Sequence, residues 1–430
     1  MGMKTYPTYK DSGVQWLGNI PTHWKIVKLR NLLHKTTQKD RPDLPLLSVV
    51  REQGVILRDI ESKEENHNYI PDDLSNYKVL RDGQFVINKM KAWQGSYSVS
   101  SLTGIVSPAY FIYDLDYTDL IPQFFNTAIR SRAYIGFFNQ ASDGVRIGQW
   151  DLDEAQMRNI PLFVPSIEEQ NAIVAYLDKK CAEIEELISR RQSIIERLRE
   201  LKQSIIAEAV TKGLNPDVPM KDSGIAWLGE VPQHWNIERL QWHLREIKEI
   251  NSPIKTNRVL SLTNKKGVIP YEEKGNQGNK AKASHDEYKL AYPDTLVMNS
   301  MNVIIGSVGI CNYFGCVSPV YYIFKTAGET MLSFVNYVFQ TTRFQKELRR
   351  HAKGILEIRL RLSSGDILKR LVAFPPLHEQ QSIVAYLDKK CAEIDELVAR
   401  QEQIIEKLKE LKTSTIAHVV TGKVDVRDAI

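Results

Sequence analysis

The 430-residue sequence has only four cysteines, too few to staple a chain of this size with disulfides. Cys181 and Cys391 fall at matching places in a repeated segment, and Cys311 and Cys316 lack the second Cys or His pair that a zinc site requires. They read as free thiols, the latter pair buried, in a reducing cytoplasm. Long apolar runs are also missing: nothing approaches the ~18 residues of a membrane span. The opening MGMKTYPTYKDSG lacks the apolar core of a signal peptide, and Tyr6 stands where myristoylation wants Ser or Thr. A cytoplasmic chain with no membrane partner is expected. Neither sign of charge dominates, since Lys plus Arg number 57 against 52 Asp plus Glu. The net +5 permits a polyanionic partner without demanding one.

Catalytic signatures are equally scarce. There is no G-x-x-x-x-G-K-[ST] loop, and GSVG at Gly306 falls short of G-x-G-x-x-G, which excludes the usual phosphate cradles. The nine histidines form no H-x-x-x-H pair, and His23 and His234 sit beside Trp24 and Trp235, where packing accounts for them. FPPL at Phe374 lacks the polar first and aromatic last residue of an adenine methyltransferase N-P-P-Y loop. Pro71-Asp72 and Pro293-Asp294 have no nearby acid-x-Lys to complete a nuclease metal site. The sequence predicts no catalytic residues, no metal ligands and no cofactor held by this chain.

What is present is repetition. AYLDKKCAEI at Ala175 returns unchanged at Ala385, and KDSGVQWLGNIPTHW at Lys10 returns as KDSGIAWLGEVPQHW at Lys221. The offsets are 391−181 = 210 and 221−10 = 211, so the chain is a tandem duplication. Between these flanks the letters diverge while a thin skeleton persists. INKM at Ile87 matches MNSM at Met298, and GIVSPAY at Gly104 matches GCVSPVY at Gly315. Gly144 precedes Glu169-Gln170 by the interval that separates Gly354 from Glu379-Gln380, 169−144 = 379−354 = 25. Segments kept identical must fit one common surface; segments that diverged serve two different ones.

The identical segments read as long helices. From Ile173 to about Val210 no Pro or Gly interrupts Leu177, Ile184, Leu187, Ile194, Leu198, Leu201 and Ile205. The second copy has Leu387, Ile394, Leu397, Ile404, Leu408, Leu411 and Ile416. Both were spaced as heptad seams. About 38 residues at ~1.5 Å each make a rod of about 57 Å, which needs a partner for its seam. The expected pairing is antiparallel, one rod on the other. Ser166 with Glu169 has capping-box spacing, and Gly213 and Pro216 end the first helix. Arg191 and Gln401 are polar where the seam should be apolar, either fixing register or snorkelling.

The divergent middles alternate short β-branched runs, such as GQFVIN at Gly83 and VLSLTN at Val259, with amphipathic stretches at Pro122 and Leu332. Each reads as an α+β domain of roughly 140 residues. Their loops collect side chains suited to base edges and phosphates: Lys89, Lys91, Trp93, Gln94 and Ser96 after one strand, then Arg146 and Gln149. The second copy offers Asn264, Lys265, Lys266, Asn276, Gln277, Asn279, Lys280, Lys282, Arg359 and Arg361. Arg and Lys suit guanine, Asn and Gln suit adenine, and any of them holds a phosphate. Trp93 and Trp150 also fit a role as packing aromatics.

Taken together, KDSGIAWLGEVPQHW, PSIEEQNAIVAYLD, PPLHEQQSIVAYLD and the two long helices make the chain resemble, over nearly its whole length, the DNA specificity subunit of type I restriction-modification systems. The resemblance implies two α+β target recognition domains, each reading one half of a split, asymmetric DNA sequence, with two long antiparallel coiled-coil helices setting the gap. It implies double-stranded DNA, two methylation subunits and restriction subunits as partners, with S-adenosylmethionine, Mg and ATP on those partners. The exposed charges Lys179, Lys180, Glu183, Glu186, Arg190 and Arg197, and Lys389, Lys390, Glu393 and Glu396, are the candidates for docking methylation subunits. The expected segments are 1–165, 166–212, 213–375 and 376–430: reader, helix, linker with reader, and helix with tail. A scaffold that never touches nucleic acid would leave the Lys-, Asn- and Gln-rich loops unexplained. An enzyme in each α+β domain would need an acid, base or nucleophile set that the copies do not share.

Overall fold

The computed structural model describes residues 4–58, 70–71, 73–144, 150–263, 267–275, 284–352 and 361–429. The chain forms two compact units, Met1–Arg191 with Gln403–Ile430, and Gln192–Glu402. Each unit therefore holds one copy of the opening motif, one α+β domain and half of each long helix.

Each domain is built on a four-stranded antiparallel sheet. In the first unit the strand order is Leu33–Thr36, Tyr110–Leu115, Phe85–Asn88, Tyr97–Val99. In the second it is Leu244–Ile247, Tyr321–Thr326, Thr295–Asn299, Val308–Cys311. The central strands FVIN and TLVMN are buried along their whole length, as strands covered on both faces must be. The amphipathic stretch at Pro122 breaks into Pro122–Ile129 and Arg132–Gln140, and the one at Leu332 into Leu332–Gln340 and Thr342–His351. Phe124, Phe125, Tyr134 and Phe138 pack on the first sheet, and Phe334, Val338, Phe339 and Phe344 on the second. Cys311 and Cys316 are free and buried within the second domain.

The opening motif is zipped to the strand that precedes each long helix. Lys25–Lys28 pairs antiparallel with Pro161–Val164, and Asn236–Arg239 with Leu371–Phe374. Trp24 and Trp235 are fully buried. The first long helix then runs Ile167–Lys212 and the second Leu377–Val420. At their ends Gly213 and Gly422 adopt φ of +77° and +71°, the left-handed turn that suits glycine. A Cβ on Gly422 would lie 2.3 Å from Cδ of Pro21, so this end seats tightly on the opening motif of its own unit. Among the described residues no helix is long and apolar enough to cross a membrane.

The long helices pack antiparallel inside each unit. In the second unit Lys202 meets Asp395 at 2.7 Å and Arg199 meets Glu402 at 3.2 Å, one number rising as the other falls. In the first, Lys412 meets Glu185 at 2.5 Å. The seam corrects the heptad reading. Leu187, Ile194, Leu201, Leu397 and Leu411 are exposed. Of that reading Leu177, Ile184, Leu387 and Ile394 are buried; the isoleucines buried along each helix are Ile173, Ile184, Ile195 and Ile206, and Ile383, Ile394 and Ile405, with Ile416 partly buried. These step by eleven (184−173 = 394−383 = 11). At about 100° per residue an eleven-residue step returns to within about 20° of its starting face, so the isoleucines share one stripe, whereas Leu187, three residues beyond Ile184, starts about 60° to the other side and each seven-residue step carries that series about 20° farther from the seam. Arg191 and Gln401 are half-buried, and each makes side-chain interactions.

The head of each long helix is locked by two side chains. The capping box is only half formed: Ser166 Oγ accepts from the Glu169 amide at 3.4 Å, but the Glu169 carboxylate turns elsewhere. It accepts from Nε1 of Trp24 at 3.0 Å and bonds Nε2 of His23 at 2.7 Å. Gln170 accepts from the Ile121 amide at 2.8 Å and donates to the carbonyls of Asp119 and Pro165. Glu379 repeats the contacts with Trp235 and His234, and Gln380 those with Met331, Glu329 and Pro375. Glu169 is 4% exposed and Glu379 29%. Glu169→Ala strands a buried indole N–H, costing about 1–3 kcal/mol, while water can reach the vacated site of Glu379→Ala. Urea titration of the full chain is expected to show the larger loss for Glu169→Ala; equal losses would contradict the burial argument.

Candidate nucleic-acid interface

Each central strand runs into the same backbone knuckle, Asn88–Ser96 and Asn299–Ser307. The Asn88 amide donates to the Ser96 carbonyl at 3.0 Å and the Asn299 amide to that of Ser307 at 3.1 Å, closing the loop. Oδ1 of Asn88 accepts from the Met90 amide at 3.2 Å, and Oδ1 of Asn299 from the Met301 amide at 3.0 Å. A 3-10 turn follows and ends on Gly95 or Gly306, at φ of +94° and +79°. Asparagine serves here because its short amide caps a turn two residues on.

On this shared backbone the outward letters differ. The first knuckle carries Lys89, Met90, Lys91 and Gln94; the second carries Met301, Asn302 and Ile305, with a buried Ser300 at the place of Lys89. Lys91 and Asn302 are exposed, as are Met90 and Ile305. A neighbouring segment leans on the knuckle in both units: the Leu152 amide donates to the Lys89 carbonyl and the Leu362 amide to the Ser300 carbonyl. That segment puts Asp151 2.9 Å from the Lys89 ammonium, whereas at the matching place the second unit has exposed Arg361.

The sequence-predicted residues thus fall into three groups. Lys89, Lys91 and Gln94 come together on one knuckle. Trp93 is half-buried with its ring 5.1 Å from that of Trp150, and Ser96 is buried at the knuckle's foot, where its hydroxyl does not face solvent. Arg146, Gln149, Asn264, Lys265, Lys266, Asn276, Gln277, Asn279, Lys280, Lys282 and Arg359 lie outside the described residues. On the helices, Lys180 pairs with Glu183 at 2.7 Å, Arg190 with Glu186, and Lys390 with Glu393 at 2.8 Å. Lys179, Arg197, Lys389 and Glu396 are exposed. Sequence reasoning missed Asn88 and Asn299, although 299−88 = 211, the duplication offset, marks them as retained. Among the described residues no group of three or more His, Cys, Asp or Glu could hold a metal ion.

No protein-family model matches the sequence. Solved structures do. A chain from work on complex assembly and conformational transition of the type I R-M system superposes with a TM-score of 0.67 at 17% identity, over 94% of this chain and 99% of that one. The HsdS subunit from Thermoanaerobacter tengcongensis superposes with a TM-score of 0.51, also at 17% identity, over 94% of this chain and 98% of that one. The fold is that of a type I restriction-modification specificity subunit. Two α+β domains with two long helices packed together are its architecture, and at this identity the agreement rests on backbone rather than letters.

If Asn88 fixes the knuckle, Asn88→Ala should speed hydrogen exchange at the Met90 amide and cost about 0.5–1.5 kcal/mol, the usual net worth of a hydrogen bond. Unchanged exchange at Met90 would show that the backbone holds the knuckle unaided.

Proposed function

We propose that this chain is the non-catalytic DNA specificity subunit of a type I restriction-modification complex. Each α+β domain reads one half of a bipartite, asymmetric target, and the long helices set the spacer and dock two methylation subunits. The observation that carries this reading is the pair of knuckles, one backbone presenting Lys89, Lys91 and Gln94 in one domain and Asn302 and Ile305 in the other. A backbone held constant while its outward side chains change is what two readers of different base sequences need, since base edges are discriminated by side-chain donors and acceptors. Arg361 beside the second knuckle supplies a cation there, and the amide and lysine side chains of Asn264–Lys266 and Asn276–Lys282 are further candidates in the second copy.

The duplicated helix faces fit two copies of one partner. Lys179, Lys180, Glu183, Glu186, Arg190 and Arg197, with Lys389, Lys390, Glu393 and Glu396, form the polar part of each docking face. Exposed Leu187 and its counterpart Leu397 add apolar area at the same position of each helix. S-adenosylmethionine, Mg and ATP belong to the methylation and restriction subunits in this reading.

Replacing residues 29–165 with the corresponding segment of another such subunit, and mapping methylated adenines in cells carrying the hybrid complex, tests the proposal. One half of the target is expected to change while the other half and the spacer stay. Change in both halves would overturn it.

A further inference from the structure

The letters around each knuckle diverge, yet one cation near it does not. Lys78, on the short strand Lys78–Leu80, pairs opposite Val106, and Lys289, on Lys289–Ala291, opposite Val317. The offset, 289−78 = 211, is that of the duplication. Nζ of Lys78 donates to the Tyr110 carbonyl at 2.6 Å and Nζ of Lys289 to the Tyr321 carbonyl at 2.7 Å. Tyr110 stands in register with Asn88, and Tyr321 with Asn299, so both ammonium groups sit at the foot of their knuckle.

The tyrosines and valines against them are retained, but the charged neighbours have changed. Near Lys78 the first domain has Lys35, Lys39, Lys89 and Glu154, where the second has Glu246, Ile250, Ser300 and Ser364. Among the described residues neither lysine has a carboxylate within ion-pairing distance, and the single hydrogen bond leaves two of its three N–H donors unassigned. Lys289 also lies over the Tyr322 ring at 5.1 Å. Both are half-buried, and burial, aided at Lys78 by Lys35 and Lys39, holds their pKa below the ordinary lysine value. Removing an ammonium from water without a counter-charge is unfavourable. A neutral donor would tether the tyrosine carbonyl without that penalty, so the tether does not explain why the charge is kept.

We infer that Lys78 and Lys289 are matched phosphate anchors, each binding a backbone phosphodiester of duplex DNA at the foot of the knuckle while the knuckle's variable side chains face the bases. This rests on the DNA-reading proposal above. The logic is that of a ligand with a constant and a variable part: the phosphate is the same in both half-sites whatever their sequence, so its contact is retained, whereas base contacts diverge. Glu154 acts on Lys78 and Glu246 on Lys289 only from beyond ion-pairing distance, and a bound phosphate would supply a counter-charge in direct contact and accept the remaining donors.

The test is fluorescence anisotropy of the full chain with a labelled mixed-sequence duplex at a series of KCl concentrations. Each phosphate contact contributes about 0.9 to the slope of log K against log [salt]. Lys78→Gln and Lys289→Gln, which keep a neutral donor for the tyrosine carbonyl, are each expected to reduce that slope by about 0.9. Lys78→Arg and Lys289→Arg should leave it at the wild-type value. A role confined to tethering would lower the melting temperature or the affinity in parallel at every salt concentration and leave the slope untouched, which overturns the inference. A reduction in one domain only overturns it as well, because the argument depends on retention in both. Wild-type chain that binds no duplex at any salt would instead overturn the DNA-reading proposal itself.

Discussion

The Glu-Gln pair at the head of each long helix is the constraint on which each unit depends. One carboxylate takes the indole N–H of the opening motif, and the next side chain takes a backbone amide and two carbonyls from the α+β domain and the pre-helix segment. Three parts of the chain far apart in sequence meet at two consecutive residues. Because Glu169, Gln170 and Gln380 are nearly inaccessible to water, their hydrogen bonds cannot be exchanged for solvent, and loss of a partner leaves a desolvated polar group. That asymmetry explains why Trp24, His23, Glu169 and Gln170 reappear as Trp235, His234, Glu379 and Gln380 while nearby surface letters drift.

Much of this was legible without coordinates, because duplication turns one sequence into a comparison of two. The α+β domains, the long helices and their antiparallel pairing all followed from offsets near 210 and from apolar patterning. The seam did not. Both the seven-residue series Leu187, Ile194, Leu201 and the eleven-residue series Ile173, Ile184, Ile195, Ile206 are apolar, and a periodicity search finds either. What separates them is helix geometry: at about 3.6 residues per turn the isoleucine series keeps near one face, whereas Leu187 already lies off that face and each further seven residues turns its series farther from the seam. The capping box failed for a related reason. Its spacing was right, but a tryptophan N–H brought in by tertiary structure competed for the Glu169 carboxylate and won.

For the candidate site, residue type was legible in the sequence but placement was not. Composition of the loops pointed to Lys89, Lys91 and Gln94, yet gave no means of seeing that Ser96 turns inward or that Asp151 is paired with Lys89. Hydrogen-bonding capacity is a property of a residue; whether it is available depends on burial and on neighbours brought by other strands. The asparagines that shape the knuckles were overlooked because they resemble readers, and only the bond from Oδ1 to the amide two residues on shows that their capacity is already used.

This division of labour has an energetic consequence for how two unlike surfaces arise from one ancestral half. The knuckle is held by backbone bonds, a left-handed glycine and a single asparagine, and the domain by the Glu-Gln pair and the aromatic core. Exposed side chains such as those of Lys91 and Asn302 contribute to none of these, although their backbones help to close the knuckle. Substitutions at exposed sites without shared partners usually fall within about 0.5 kcal/mol and add independently. Outward letters can therefore be exchanged in one copy without loss of the fold. A duplicated chain of this design separates the residues that make it stable from those that can make it selective, which is why its two halves can be alike in backbone and unlike in what they present.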